Sequence, residues 1–106
     1  MKLNKSILRV FEVRAKPGKA ELLKKKLAAT SVAVVEGKPG NLGYFFGENL
    51  STDGSDLVFI SVWKDLESIK SRFGDEWQAS YLPEGYEEII ESCSIRHIEV
   101  DGSLAP

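Results

Sequence analysis

Apolar residues recur along this chain with two different periods, and the switches between them mark out its elements. Residues 7–14 alternate incompletely. Ile7, Arg9, Phe11 and Val13 share one face, and Leu8, Val10, Glu12 and Arg14 share the other. Apolar groups on both faces predict a strand covered on both sides over its first half. Lys16-Pro17-Gly18-Lys19 ends that strand and opens a helix, with Pro17 suited to the first helical position. Ala20, Leu23, Leu27, Thr30 and Val34 then recur at helical spacing and form one face to pack on a sheet.

Residues 37–43 hold three glycines and a proline and read as a loop. Residues 42–50 read as an aromatic-rich second strand, through Tyr44, Phe45 and Phe46. Asp53-Gly54 supplies the tip of a hairpin turn over residues 51–56. Residues 57–64 form the third strand, with Phe59, Ser61 and Trp63 facing one way and Val58, Ile60 and Val62 the other. Asp65 can cap a helix running to about Phe73, with Leu66, Ile69 and Phe73 on one side. Pro83-Glu84-Gly85 predicts an extra short helix to about Ser92, and residues 94–100 the last strand. The tail, residues 101–106, reads as disordered.

The order is therefore β-α-β-β-α-β, an α+β, ferredoxin-like arrangement with an antiparallel sheet and an extra short helix before the last strand. Its helices cover only one face of the sheet. The other face carries Leu8, Val10, Val58, Ile60 and Val62, too much apolar surface to leave wet. A homodimer that covers this face with the partner's equivalent face is expected.

The chain has 106 residues, room for one domain with its core over about residues 7–100. A net charge of −2 and a single basic cluster, Lys19 with Lys24 to Lys26, give no stripe for nucleic acid. No apolar run approaches membrane-span length, and none of signal-peptide length follows Met1; a soluble cytoplasmic protein is expected. The single cysteine, Cys93, and single histidine, His97, exclude a disulfide within the chain and argue against a metal site. Cys93 is expected as a small buried filler. No glycine-rich phosphate loop is present, so neither metal nor flavin is expected as a cofactor.

Three motifs in order resemble the antibiotic biosynthesis monooxygenase family. They are Arg14-Ala15-Lys16-Pro17-Gly18-Lys19, then Pro39-Gly40-Asn41-Leu42-Gly43-Tyr44, then Val62-Trp63 followed by a helix. The resemblance spans residues 7–100. It implies a dimeric α/β barrel, with a pocket between sheet and helices. It also implies a cofactor-independent monooxygenase acting on a small aromatic or quinone-like molecule. A small-molecule binding protein without turnover is the alternative. The haem-degrading branch of the family uses an asparagine on the first strand and a histidine on the helix after the tryptophan. Here the asparagine position falls at about Phe11, and residues 65–73 contain no histidine, so haem degradation is disfavoured.

Trp63 matches the family's pocket tryptophan, and Ser61 is small where a packed core would want bulk. The predicted pocket is lined by Phe11, Phe59, Ser61, Trp63 and Trp77, with Trp63, Arg9 and His97 as catalytic candidates. Arg9 must reach solvent, pair with a carboxylate, or line a cavity where it can grip an acidic oxygen. His97 is the one group able to act as a base near neutrality without a perturbed pKa. Trp77, Tyr81 and Tyr86 either close the pocket mouth or cover the helix–sheet edge.

Overall fold

The computed structural model of the protein describes residues 2–104. Its strands are β1 (Ser6–Ala15), β2 (Asn41–Glu48), β3 (Asp56–Trp63) and β4 (Ile90–Val100). Between β1 and β2 run α1 (Ala20–Lys26), a π turn (Leu27–Ser31) and α2 (Val32–Val35). Between β3 and β4 lie α3 (Leu66–Phe73) and a 3-10 turn (Gly74–Glu76). All pairings are antiparallel, in the order β2-β3-β1-β4. This is the ferredoxin-like α+β fold, in which each crossover steps over one strand. Leu23, Leu27, Val35 and Ile69 from the helices bury with Ile7, Phe11, Val13, Phe59 and Trp63 from one sheet face. No helix among the described residues is long and apolar enough to cross a membrane.

Both Pro-Gly pairs make the same turn. Lys19 N–H donates to Lys16 O at 2.9 Å, and Asn41 N–H to Lys38 O at 3.0 Å. Gly18 and Gly40 take φ of +79° and +84°. Proline second and a left-handed glycine third is the type II turn. Pro17 therefore sits in the turn, and the helix starts at Ala20 rather than at Pro17. At Gly40 a Cβ would come within 2.1 Å of Ser68 Oγ, so the turn lies hard against α3.

The first crossover helix also buries a different face from the one expected. Leu23, Leu27, Ser31 and Val35 are inside, while Thr30 and Val34 are only half-buried. Four-residue spacing exceeds the 3.6 of an α-helix, and the wider π turn absorbs the surplus. Tyr86 Oη donates to Lys26 O at the mouth of that turn, 2.8 Å away. Its hydroxyl hydrogen is thereby used, so Ser31 Oγ is the donor in the 2.7 Å bond to Tyr86 Oη.

The extra short helix before β4 does not form. Residues 83–89 make successive turns, with Tyr86 N–H donating to Pro83 O and Ile89 N–H to Tyr86 O. So short a segment cannot repay helix nucleation, and Tyr86 and Ile89 are instead buried anchors. β4 consequently starts at Ile90, before the expected residue 94. The tail is also ordered as far as it is described. Leu3 N–H donates to Gly102 O, Lys2 bridges Ser103, and Lys5 N–H donates to Asp101. Ala105 and Pro106 lie outside the described residues. Cys93 is exposed on the edge strand β4, with its thiol 3.7 Å from Ser80 Oγ.

Candidate functional site

A cavity opens between the helix-covered face of the sheet and the helices. Phe11 of β1, Phe59 and Ser61 of β3 and Ile95 of β4 form its floor. Val34 and Val35 of α2 and Phe73 of α3 form its walls, with Tyr81 and Pro83 from the following loop. Arg9 and Ser31 complete the lining. The space open to the centre of a water molecule is about 40 Å³, roughly three waters' worth at ~10–15 Å³ each. Among the described residues no carboxylate and no imidazole lines it.

Period-two alternation aims Arg9 at this face of β1, between Ile7 and Phe11. It is 4% exposed, and no ion pair among the described residues involves it. Its Nη1 donates to Trp77 O at 2.5 Å, and its Nη2 to Ala79 O at 3.1 Å. The guanidinium lies 3.8 Å from the Phe73 ring centroid. A buried cation held by carbonyl dipoles and one ring, without a counter-charge, is an unusual and costly arrangement. Burial first, and the nearby Arg72 charge second, push the Arg9 pKa down to about 10. It remains protonated at neutral pH.

His97 is the register partner of Arg9 on β4. Arg9 Nη1 lies 3.0 Å from His97 Nε2. An arginine only donates, so Nε2 is the acceptor and the ring proton sits on Nδ1. Burial, and then the Arg9 charge, lower the His97 pKa below its ordinary value of 6.5. The neutral imidazole is thus an acceptor for Arg9, and its lone pair is not free to act as a base. The Trp77 ring meets His97 edge-on, with centroids 4.9 Å apart.

Three of the five expected pocket residues, Phe11, Phe59 and Ser61, line the cavity together with Arg9. Trp63 does not. It is fully buried, its indole N–H donates to Ser61 Oγ at 2.8 Å, and its ring packs edge-on against Phe73. Ser61 therefore fills the side of Trp63 where space was expected, and Trp63 forms a layer behind the wall. Trp77 is also outside the lining and enters through its carbonyl. Tyr86 is core, and Tyr81 is the mouth aromatic. Ser31 and Phe73 were not among the expected site residues. The four-residue spacing from Leu23 to Val35 was the available signal for Ser31, and the shared face of Leu66, Ile69 and Phe73 for the other. Among the described residues no group of three or more potential metal ligands is assembled.

The outer sheet face carries the five residues expected at a dimer interface. Val10 and Val62 are buried within the chain, and Leu8, Val58 and Ile60 are half-buried. Beside them Phe45 is 55% exposed and Ile98 40%. Leu8, Val10, Val58, Ile60 and Ile98 border a trough of about 690 Å³.

The sequence from residue 6 to 79 matches the profile of the family described as antibiotic biosynthesis monooxygenase. The chain belongs to that family. No curated protein sequence matches it. Among solved structures, the protein PA3566 of Pseudomonas aeruginosa is 23% identical, with a TM-score of 0.72 over 97% of this chain and 98% of that one. A variant of SnoaB, a cofactor-independent oxygenase of Streptomyces nogalater, is 15% identical, with a TM-score of 0.70 over 96% of this chain and 99% of that one. MhuD, a haem-degrader of Mycobacterium tuberculosis seen with two haems in its active site, is 17% identical, with a TM-score of 0.70 over 93% and 99%. At these identities the likeness shows the shared fold. The residues present here do not fit haem. The only histidine, His97, spends its Nε2 lone pair on Arg9, and α3 carries none.

Proposed function

We propose that this family member works as a homodimeric, cofactor-independent oxygenase that binds a small ionisable aromatic molecule, a phenol or quinol, as its anion beside Arg9. One observation carries this reading: a buried guanidinium with no counter-ion among the described residues forms part of the wall of an otherwise largely apolar cavity. Such a site stabilises a phenolate or enolate oxygen and lowers the pKa of the bound phenol. The inner space is too small for the ring itself, so the phenolate oxygen enters it and the ring lies at the mouth against Tyr81, electron-rich enough there to reduce dioxygen itself. With 1,5-dihydroxynaphthalene as probe, one atom of O2 becomes the new quinone oxygen of juglone and the other leaves as water. No base among the described residues lines the cavity, so the phenolic proton passes to solvent as the oxygen enters. Arg9 is the catalytic residue of this scheme, and His97, which orients Arg9 through Nη1, is a positioning residue.

The missing base favours a second reading, binding without turnover. Both readings require that 1-naphthol bind better than 1-methoxynaphthalene, which cannot ionise. Titration should show that Arg9→Gln weakens 1-naphthol about tenfold or more and leaves the methyl ether unchanged. Arg9→Lys, which keeps the charge, should retain part of the preference. Equal binding of the two compounds by the unaltered protein would reject the anion site. Oxygen uptake with juglone formation above the buffer rate separates the oxygenase from the binding protein.

A further inference from the structure

We infer that the ligand is a hydroxyaryl carboxylate, with its phenolic oxygen at Arg9 and its carboxylate at Arg72. This rests on the anion site just proposed and extends it outward. Arg72, on α3, lines an outer space and lies against the wall of the inner one. Its Nε donates to Val34 O at 2.6 Å, and its guanidinium lies 5.4 Å from the Phe73 ring centroid and 5.8 Å from that of Tyr81. Val34, Phe73 and Tyr81 all line the inner cavity. The same Arg72, with Lys38, Pro39, Ser68 and Ser71, lines an outer groove of about 330 Å³.

The charges on this boundary are all of one sign. Among the described residues no carboxylate lines either space, and no ion pair involves Arg72, Lys38 or Arg9. The neighbouring Lys70, by contrast, pairs with Glu67. Two arginines within 5.4 Å of one phenyl centroid and no acid between them repel each other, and an anion spanning them relieves that repulsion. The Val34 carbonyl fixes the Nε edge of Arg72. That leaves its two terminal nitrogens as a forked donor of the geometry that suits a carboxylate. With the guanidinium carbons 3.8 and 5.4 Å from one Phe73 ring centroid, the two groups are no farther apart than the length of a bicyclic hydroxyaryl carboxylate.

The test compares 2-naphthol with 6-hydroxy-2-naphthoate at neutral pH, by calorimetry or tryptophan fluorescence. The naphthoate should bind about tenfold tighter. Arg72→Gln should abolish that advantage while leaving 2-naphthol within about twofold of its original affinity. Equal affinities in the unaltered protein, or an advantage that survives Arg72→Gln, overturn the inference while the Arg9 site stands. Failure of 2-naphthol to respond to Arg9→Gln overturns the anion site and this inference together. If Arg72→Gln does not fold, Lys38→Gln and salt take its place. The naphthoate advantage should shrink with Lys38→Gln and with rising ionic strength, and indifference to both overturns the inference.

Discussion

Trp63 and His97 show how a residue's partners decide what it can do. Trp63 is enclosed, with its one polar group satisfied by Ser61. Trp63→Phe removes that bond and leaves a small void, a cost of about 1–3 kcal/mol. A thermal melt should show the loss, and 1-naphthol affinity should not change; an intact melting temperature with lost binding would put Trp63 back at the site. His97 has its folded-state pKa below 6.5 through burial and then through Arg9. The unfolded chain therefore takes up the proton first as pH falls. The stability from neutral His97 is complete above about 6.5 and is lost as pH drops through that value towards the lower folded pKa. Melting temperature should fall more steeply between pH 7 and pH 5 in the unaltered protein than in His97→Gln, whose amide oxygen can still accept from Arg9. Parallel curves would remove His97 from the account.

At the scale of elements, the π turn of the first crossover and the turns before β4 depend on each other. The Tyr86 hydroxyl sits between Lys26 O and Ser31 Oγ, so it ties residues 83–89 to the point where the helix widens. That widening is what turns Ser31 to the cavity wall. Tyr86→Phe keeps the ring and leaves a carbonyl and a serine hydroxyl without their partner. It should cost about 1–3 kcal/mol in denaturant unfolding. It should also raise amide exchange across residues 27–31 above that of α1. Uniform exchange would mean that the helix widens without help from Tyr86.

At the scale of the molecule, one sheet face is covered by helices and the other presents Leu8, Val10, Val58, Ile60 and Val62, with Phe45 and Ile98 exposed beside them. Burying such a face against its own copy is the economical solution for a two-fold assembly. Sedimentation at micromolar concentration should give a dimer. Ile60→Asp, which places a charge at the middle of the face, should give monomer or aggregate. A monomeric unaltered protein would end the homodimer proposal.

The β-α-β-β-α-β order was legible in the chain because strand and helix periods leave different apolar patterns, and those patterns survive any tertiary context. The two sheet faces and the place of Arg9, Phe11, Phe59 and Ser61 on one of them follow from alternation alone. Local chemistry already contained the type II turns at Pro17-Gly18 and Pro39-Gly40, although Pro17 also suits a helix start. Tertiary structure decided the rest. Spacing cannot tell whether Trp63 borders a void or a serine, since that depends on which hydroxyl its N–H meets. The Arg9–His97 bond joins residues 88 positions apart, and the Trp77 and Ala79 carbonyls reach Arg9 from a loop without periodicity. Residues 83–89 lost their helix because Tyr86 and Ile89 gain more from burial than so short a helix returns.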